Sequence, residues 1–113
     1  MTDVPVPALD TVRTLAAFVK ARTEEGAQRL AERLPAGQRG TADAAELLRI
    51  PAALGQAAKL AAHGLERELA GEQPDDEAVR LLWRTLLNTA QPFHAHPALP
   101  AAARGALPAA GPV

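Results

Sequence analysis

The chain has 113 residues, with 12 Lys and Arg against 13 Asp and Glu, a net charge of −1 and no cysteine. That length supports one domain with a modest core rather than two, and the near-neutral charge provides no general attraction to nucleic acid or anionic lipid. The missing thiols exclude disulfides, thiolate metal sites and redox chemistry, and the absence of serine and tyrosine excludes Ser-His-Asp and Cys-His nucleophile systems and phenolic acid or base chemistry.

Alanine (27 residues) and leucine (16) dominate, beside six valines, one isoleucine and three aromatic residues, Phe18, Trp83 and Phe93. Strand formers are scarce, which predicts an all-α fold. Ten arginines against two lysines, with so much alanine, suggest a high-GC bacterial source. Residues 1–7 form a short Pro-broken lead without the basic run or apolar core of a secretory signal, and no stretch offers about twenty apolar residues for a membrane span. A cytoplasmic protein with no membrane association is expected.

From about Ala8 to Leu34 the positions Leu9, Val12, Ala16, Val19, Ala27, Leu30 and Leu34 form a helical stripe, widened at its start by Leu15 and Phe18, so the first half of this helix is expected to be the more buried. Lys20 with Glu24 and Glu25 with Arg29 are i,i+4 opposite-charge pairs on its outer side. Pro35, Gly37 and Gly40 then stop the helix.

A second helix is expected from near Asp43, read as the N-cap of a capping box with Glu46, with Thr41 as competitor, to near Gly71. Its apolar seam is Leu47, Ile50, Leu54, Ala57, Ala61, Leu65 and Leu69, spaced by threes and fours through Pro51 and Gly55, two residues that ordinarily end helices. An unbroken phase predicts one bent helix held by burial. Asp75 caps a third helix running to about Ala90, with Asp76 and Glu77 in its first turn. Val79, Leu81, Leu82, Trp83, Leu86 and Leu87 cover most of its circumference, and it is expected to be the core of the fold.

The resulting fold class is an all-α three-helix bundle, two long antiparallel helices plus a buried third, over residues 8–97, followed by an Ala/Pro/Gly-rich tail, 98–113, expected to be flexible or to pack across the bundle with one short helical turn from Pro100 to Arg104.

Four residues are candidates for interaction or ligand contact: Trp83, Phe93, His94 and His96. His94 and His96 form a His-x-His that could place two imidazoles on one metal, but a third ligand would have to come from His63 or Glu66, so no metal site and no cofactor are assigned. Trp83 could line an apolar ligand pocket with Phe18 or Phe93, although a ring on the most apolar helix is the natural core residue. Asp75 to Glu77, beside Glu72, do not have the spacing of a Ca²⁺ loop, and helix capping accounts for them.

The segment Thr41 to Pro51, Thr-Ala-Asp-Ala-Ala-Glu-Leu-Leu-Arg-Ile-Pro, resembles the first helix and turn of the helix-turn-helix in excisionase-like and MerR-like DNA-binding domains. The resemblance implies a recognition helix following it, within 41–62, that would meet phosphates and base edges. The matching stretch, Ala52 to Lys59, carries one amine and no arginine, so no base-contacting residue is carried over.

The reading favoured by the residues is a non-enzymatic interaction or regulatory protein acting through helix faces, with a protein partner or itself as partner, as a homodimer. A nucleic-acid-binding regulator and a bundle that holds a small apolar ligand are the alternatives.

Overall fold

A computed structural model describes residues 7–34, 37 and 41–107. Among these residues the ordered elements are all helical: α1 (Leu9–Arg33), α2 (Ala42–Ala70), α3 (Asp76–Ala90), a 3-10 turn at Gln91–Phe93, and the short α4 (Ala101–Arg104). The lead before Pro7, the residues after Leu107 and most of the α1–α2 connection lie outside the described residues.

α1 and α2 form an antiparallel pair. Thr23 of α1 lies against Gly55 of α2, and Arg13, near the start of α1, meets Glu66, near the end of α2, at 3.1 Å. Gly55 has a packing reason: a Cβ there would stand 3.0 Å from the Thr23 hydroxyl. α3 runs back antiparallel along α2. Its Leu82 faces Gly64, where a Cβ would approach the leucine methyls to 3.1 Å, and the Glu68 carboxylate accepts the Asp75 N–H at 3.0 Å. The two glycines that weaken α2 locally are thus the points at which its neighbours come closest.

α2 is one helix through Pro51, as the unbroken seam requires. Its N-cap is Thr41 rather than Asp43. Thr41 has the extended backbone of a cap (φ −82°, ψ 162°), and its hydroxyl accepts the Ala44 N–H at 3.3 Å, whereas Asp43 already lies inside the first turn. Asp75 caps α3 as expected, accepting from the N–H groups of Glu77 (3.0 Å) and Ala78 (3.3 Å).

The core gathers Val12, Leu15, Phe18 and Val19 of α1, Ala58, Ala61, Ala62 and Leu65 of α2, and Val79, Trp83, Leu86, Leu87 and Ala90 of α3. The first half of α1 is its buried half, as expected, while Ala27, Leu30 and Leu34 are only half-buried. Two expectations need correction. Leu81 is 63% exposed and Leu82 only half-buried, because α3 lies on the outside of the bundle with one flank free. In α2, Ala61 and Leu65 of the expected seam are buried, but Leu47 and Ile50 are 47% and 74% exposed. The positions that α2 buries run along a neighbouring line, Ala44, Ala58, Ala62 and Leu65, with Thr23 and Gly55 marking the contact to α1.

The segment after α3 packs across the bundle. Leu99 and Ala103 are buried in the core and Leu107 packs against it, so the part of the tail from 98 to 107 belongs to the folded body. Arg104 ties this segment together by donating from Nε to the Leu99 carbonyl (3.2 Å) and from Nη2 to the carbonyls of Pro97 (3.0 Å) and His96 (3.3 Å). No described helix is long and apolar enough to cross a membrane.

Candidate interaction surfaces

Three places in this fold present chemistry at or near the surface: an aromatic clasp, a groove behind the hairpin, and the bare outer half of α2.

The clasp explains two of the four candidate residues. Phe18 stacks edge-on against Phe93 (centroids 6.1 Å apart, 82° between planes) and against His96 (5.6 Å, 71°), and the Arg22 guanidinium lies 5.4 Å from the Phe18 ring centre. Such edge contacts and the cation over the ring face are both favoured by the ring quadrupole. Arg22 Nη1 reaches His96 Nε2 at 2.7 Å, and Nη2 donates to Glu25 at 2.9 Å. His96 Nδ1 faces the Ala98 N–H at 3.0 Å. Arginine only donates, and a neutral imidazole has one accepting nitrogen, so the ring satisfies one of these two donors at a time. This arrangement fastens the C-terminal segment to α1.

His94 is exposed on the 3-10 turn, with Nδ1 3.0 Å from its own Gln91 carbonyl. The His-x-His pair is therefore divided, one ring engaged with Arg22 and the other with local backbone. Among the described residues no three His, Asp or Glu side chains lie close enough together to hold a metal ion. His63 and Glu66, the sequence candidates for a third ligand, belong to the opposite side of the hairpin, where they line the groove described next. Trp83 is 4% exposed and sits in the core. The structure brings Phe93 and His96 together on Phe18, keeps Trp83 in the core and turns His94 to the local backbone.

Behind the hairpin, α1 and α2 enclose an open groove of about 820 Å³. Its lining includes Ala16, Ala27, Pro51, Ala52, Gly55 and Ala62, with Lys20, Glu24, Lys59, His63 and Glu66 also present. It is wide because small side chains line it: alanine and glycine let two helices pack closely but leave the flanks of the contact unfilled. None of Phe18, Trp83 and Phe93 lines this groove, so an apolar ligand there would not touch the tryptophan that composition singled out. The exposed Leu60 sits at the groove, and sequence reasoning missed it because Leu60 falls outside the main seam.

The third surface is the continuation of the buried α2 seam. From Leu69 back to Ala57 it is buried or half-buried; from Leu54 to Leu47 it emerges. The helix-turn-helix resemblance falls on this stretch. There, Pro51 lies in the interior of one continuous helix, so the segment lacks the turn that would set a second helix across the first.

No known protein family matches this chain, and neither a curated protein nor a solved structure matches it.

Proposed function

We propose that the protein is a non-enzymatic interaction or regulatory module that acts through its helix faces and works as a homodimer. One observation carries this reading: the stripe that is buried at Ala61 and Leu65 continues into Leu47 and Ile50, which are exposed to water. A large branched side chain on an amphipathic stripe is stabilising only when covered, and contiguous exposed apolar surface on a small domain marks a contact site. The side-chain inventory supports the non-enzymatic part for two of the three histidines, His96 being engaged with Arg22 and His94 with the Gln91 carbonyl, while His63 lies at the groove. Sedimentation velocity across a micromolar concentration series tests the reading. The expected result is a mass that rises from one chain to two; a single-chain mass throughout would remove the homodimer.

The groove behind the hairpin favours a second reading, a small apolar ligand or an apolar helix held between α1 and α2. A Leu60→Trp reporter is the appropriate probe, with a change in emission on adding long-chain aliphatic or aromatic compounds as the expected sign of occupancy. Unchanged emission with all of them would remove this reading.

A further inference from the structure

α2 is bare at one end because α3 is short. Leu82 lies opposite Gly64, and α3 ends at Ala90, so at about 1.5 Å per residue its end reaches only to about residue 56 of the antiparallel α2. Beyond that point, among the described residues, α2 has α1 beside it and lies past the end of α3. The molecule is correspondingly long, 53 Å against 32 and 24 Å in the other directions. The exposed leucine and isoleucine lie in this part of α2.

α1 supplies an independent observation. Gly26 lies mid-helix and exposed, and a Cβ built on it would meet nothing within 4 Å. Unlike Gly55 and Gly64, it has no packing reason within the chain, although glycine weakens a helix interior. By spacing it continues the line Leu15, Val19 and Arg22, and with Thr23 opposite Gly55 it falls at the level of about residue 52 of α2. A glycine at that place lets another helix come close.

We propose that this face joins two copies of the chain, packed antiparallel about a two-fold axis perpendicular to the helices near Ile50. Leu47 of one copy then meets the partner's Leu54, and the two α1 helices approach each other at Gly26. The inference rests on the homodimer reading above and assigns it a face and a symmetry. Antiparallel packing follows from α3. A parallel pair would drive one α3 into the other, whereas in the antiparallel pair the partner's α2 continues the third layer where α3 stops. The hairpin ends then form a four-helix bundle of the kind short helical hairpins make. The uncovered face is about 20 Å long and two helices wide, or on the order of 400 Å² in projection on each copy, so the contact is smaller than a stable specific interface and the pair is a weak one that dissociates reversibly. Two of the charged pairs at this end are closed within each copy, Arg49 with Glu46 at 3.1 Å and Arg29 with Glu25 at 3.6 Å.

Because the chain has no cysteine, single cysteines report the geometry cleanly. Under mild oxidation Ile50→Cys should form a disulfide-linked dimer, and a mixture of Leu47→Cys and Leu54→Cys should cross-link more than either alone, while Leu60→Cys on the groove should not. Ile50→Glu and Gly26→Trp should each keep the native helical circular dichroism and weaken self-association by on the order of a hundredfold, whereas Leu60→Glu should leave it unchanged. If the chain dimerises but Ile50→Glu does not weaken it and only Leu60→Cys cross-links, the face is wrong and the homodimer reading survives. A chain that remains single at every concentration overturns both.

Discussion

Trp83 is the residue on which the core depends most visibly, a large ring 4% exposed among Val79, Leu86 and Leu87 on its own helix and the α1 and α2 residues of the core. Trp83→Ala should lower unfolding free energy by about 3–5 kcal/mol, measured by urea denaturation, because little of the space can close over the lost ring. A change under about 1 kcal/mol would place the ring outside the core. The helix-contact glycines give a finer test. The Thr23 hydroxyl donates to the Lys20 carbonyl at 2.9 Å, so moving it aside for a Cβ at residue 55 costs that hydrogen bond. Gly55→Ala should therefore destabilise, although alanine is favoured over glycine in a helix by up to about 1 kcal/mol. In a Thr23→Ala background the same substitution should become neutral or stabilising, and a double-mutant cycle reads the difference directly. Gly64→Ala faces the leucine methyls of a half-buried Leu82, which turn away at little cost, so it should be tolerated from the outset.

At the scale of elements, α2 carries most of the argument. A helix that passes through Pro51 lacks the hydrogen bond to the Leu47 carbonyl, and interior proline costs roughly 3 kcal/mol relative to alanine. Pro51→Ala should therefore be neutral or stabilising in thermal melting, with helical circular dichroism unchanged or increased. Its place at the groove means that little packing is lost with the ring. A fall in both melting temperature and helicity would show that the proline is needed for the path of α2. Elsewhere, element boundaries were readable from the chain: Asp75 announces α3 and Gly71 ends α2. The start of α2 was harder to read because Thr41 and Asp43 both have capping side chains, and only the extended backbone at Thr41 itself makes it the cap.

For the whole molecule, the C-terminal segment decides whether the third side of the core is closed. Leu99 is 3% exposed and Ala103 fully buried, and Phe93 and His96 close over Phe18 beside them. Leu99→Ala should cost about 2–5 kcal/mol in denaturant unfolding. An effect below about 0.5 kcal/mol would show that residues 98–107 add nothing to the fold.

Composition and periodicity alone determined the helical class, the three main helices, the antiparallel hairpin and the greater burial of the first half of α1, because each follows from local patterns that a 3.6-residue repeat and capping side chains make explicit. They also singled out Phe93 and His96, but not Arg22, whose role depends on a partner 74 residues away in the chain. Which apolar residues find cover depends instead on how the helices pack. Leu47, Ile50 and Leu81 have the same spacing and side chains as their buried neighbours. They remain outside because α3 is 15 residues long against 29 for α2 and lies with one flank free, and a repeat along one helix carries no information about where a neighbouring helix stops.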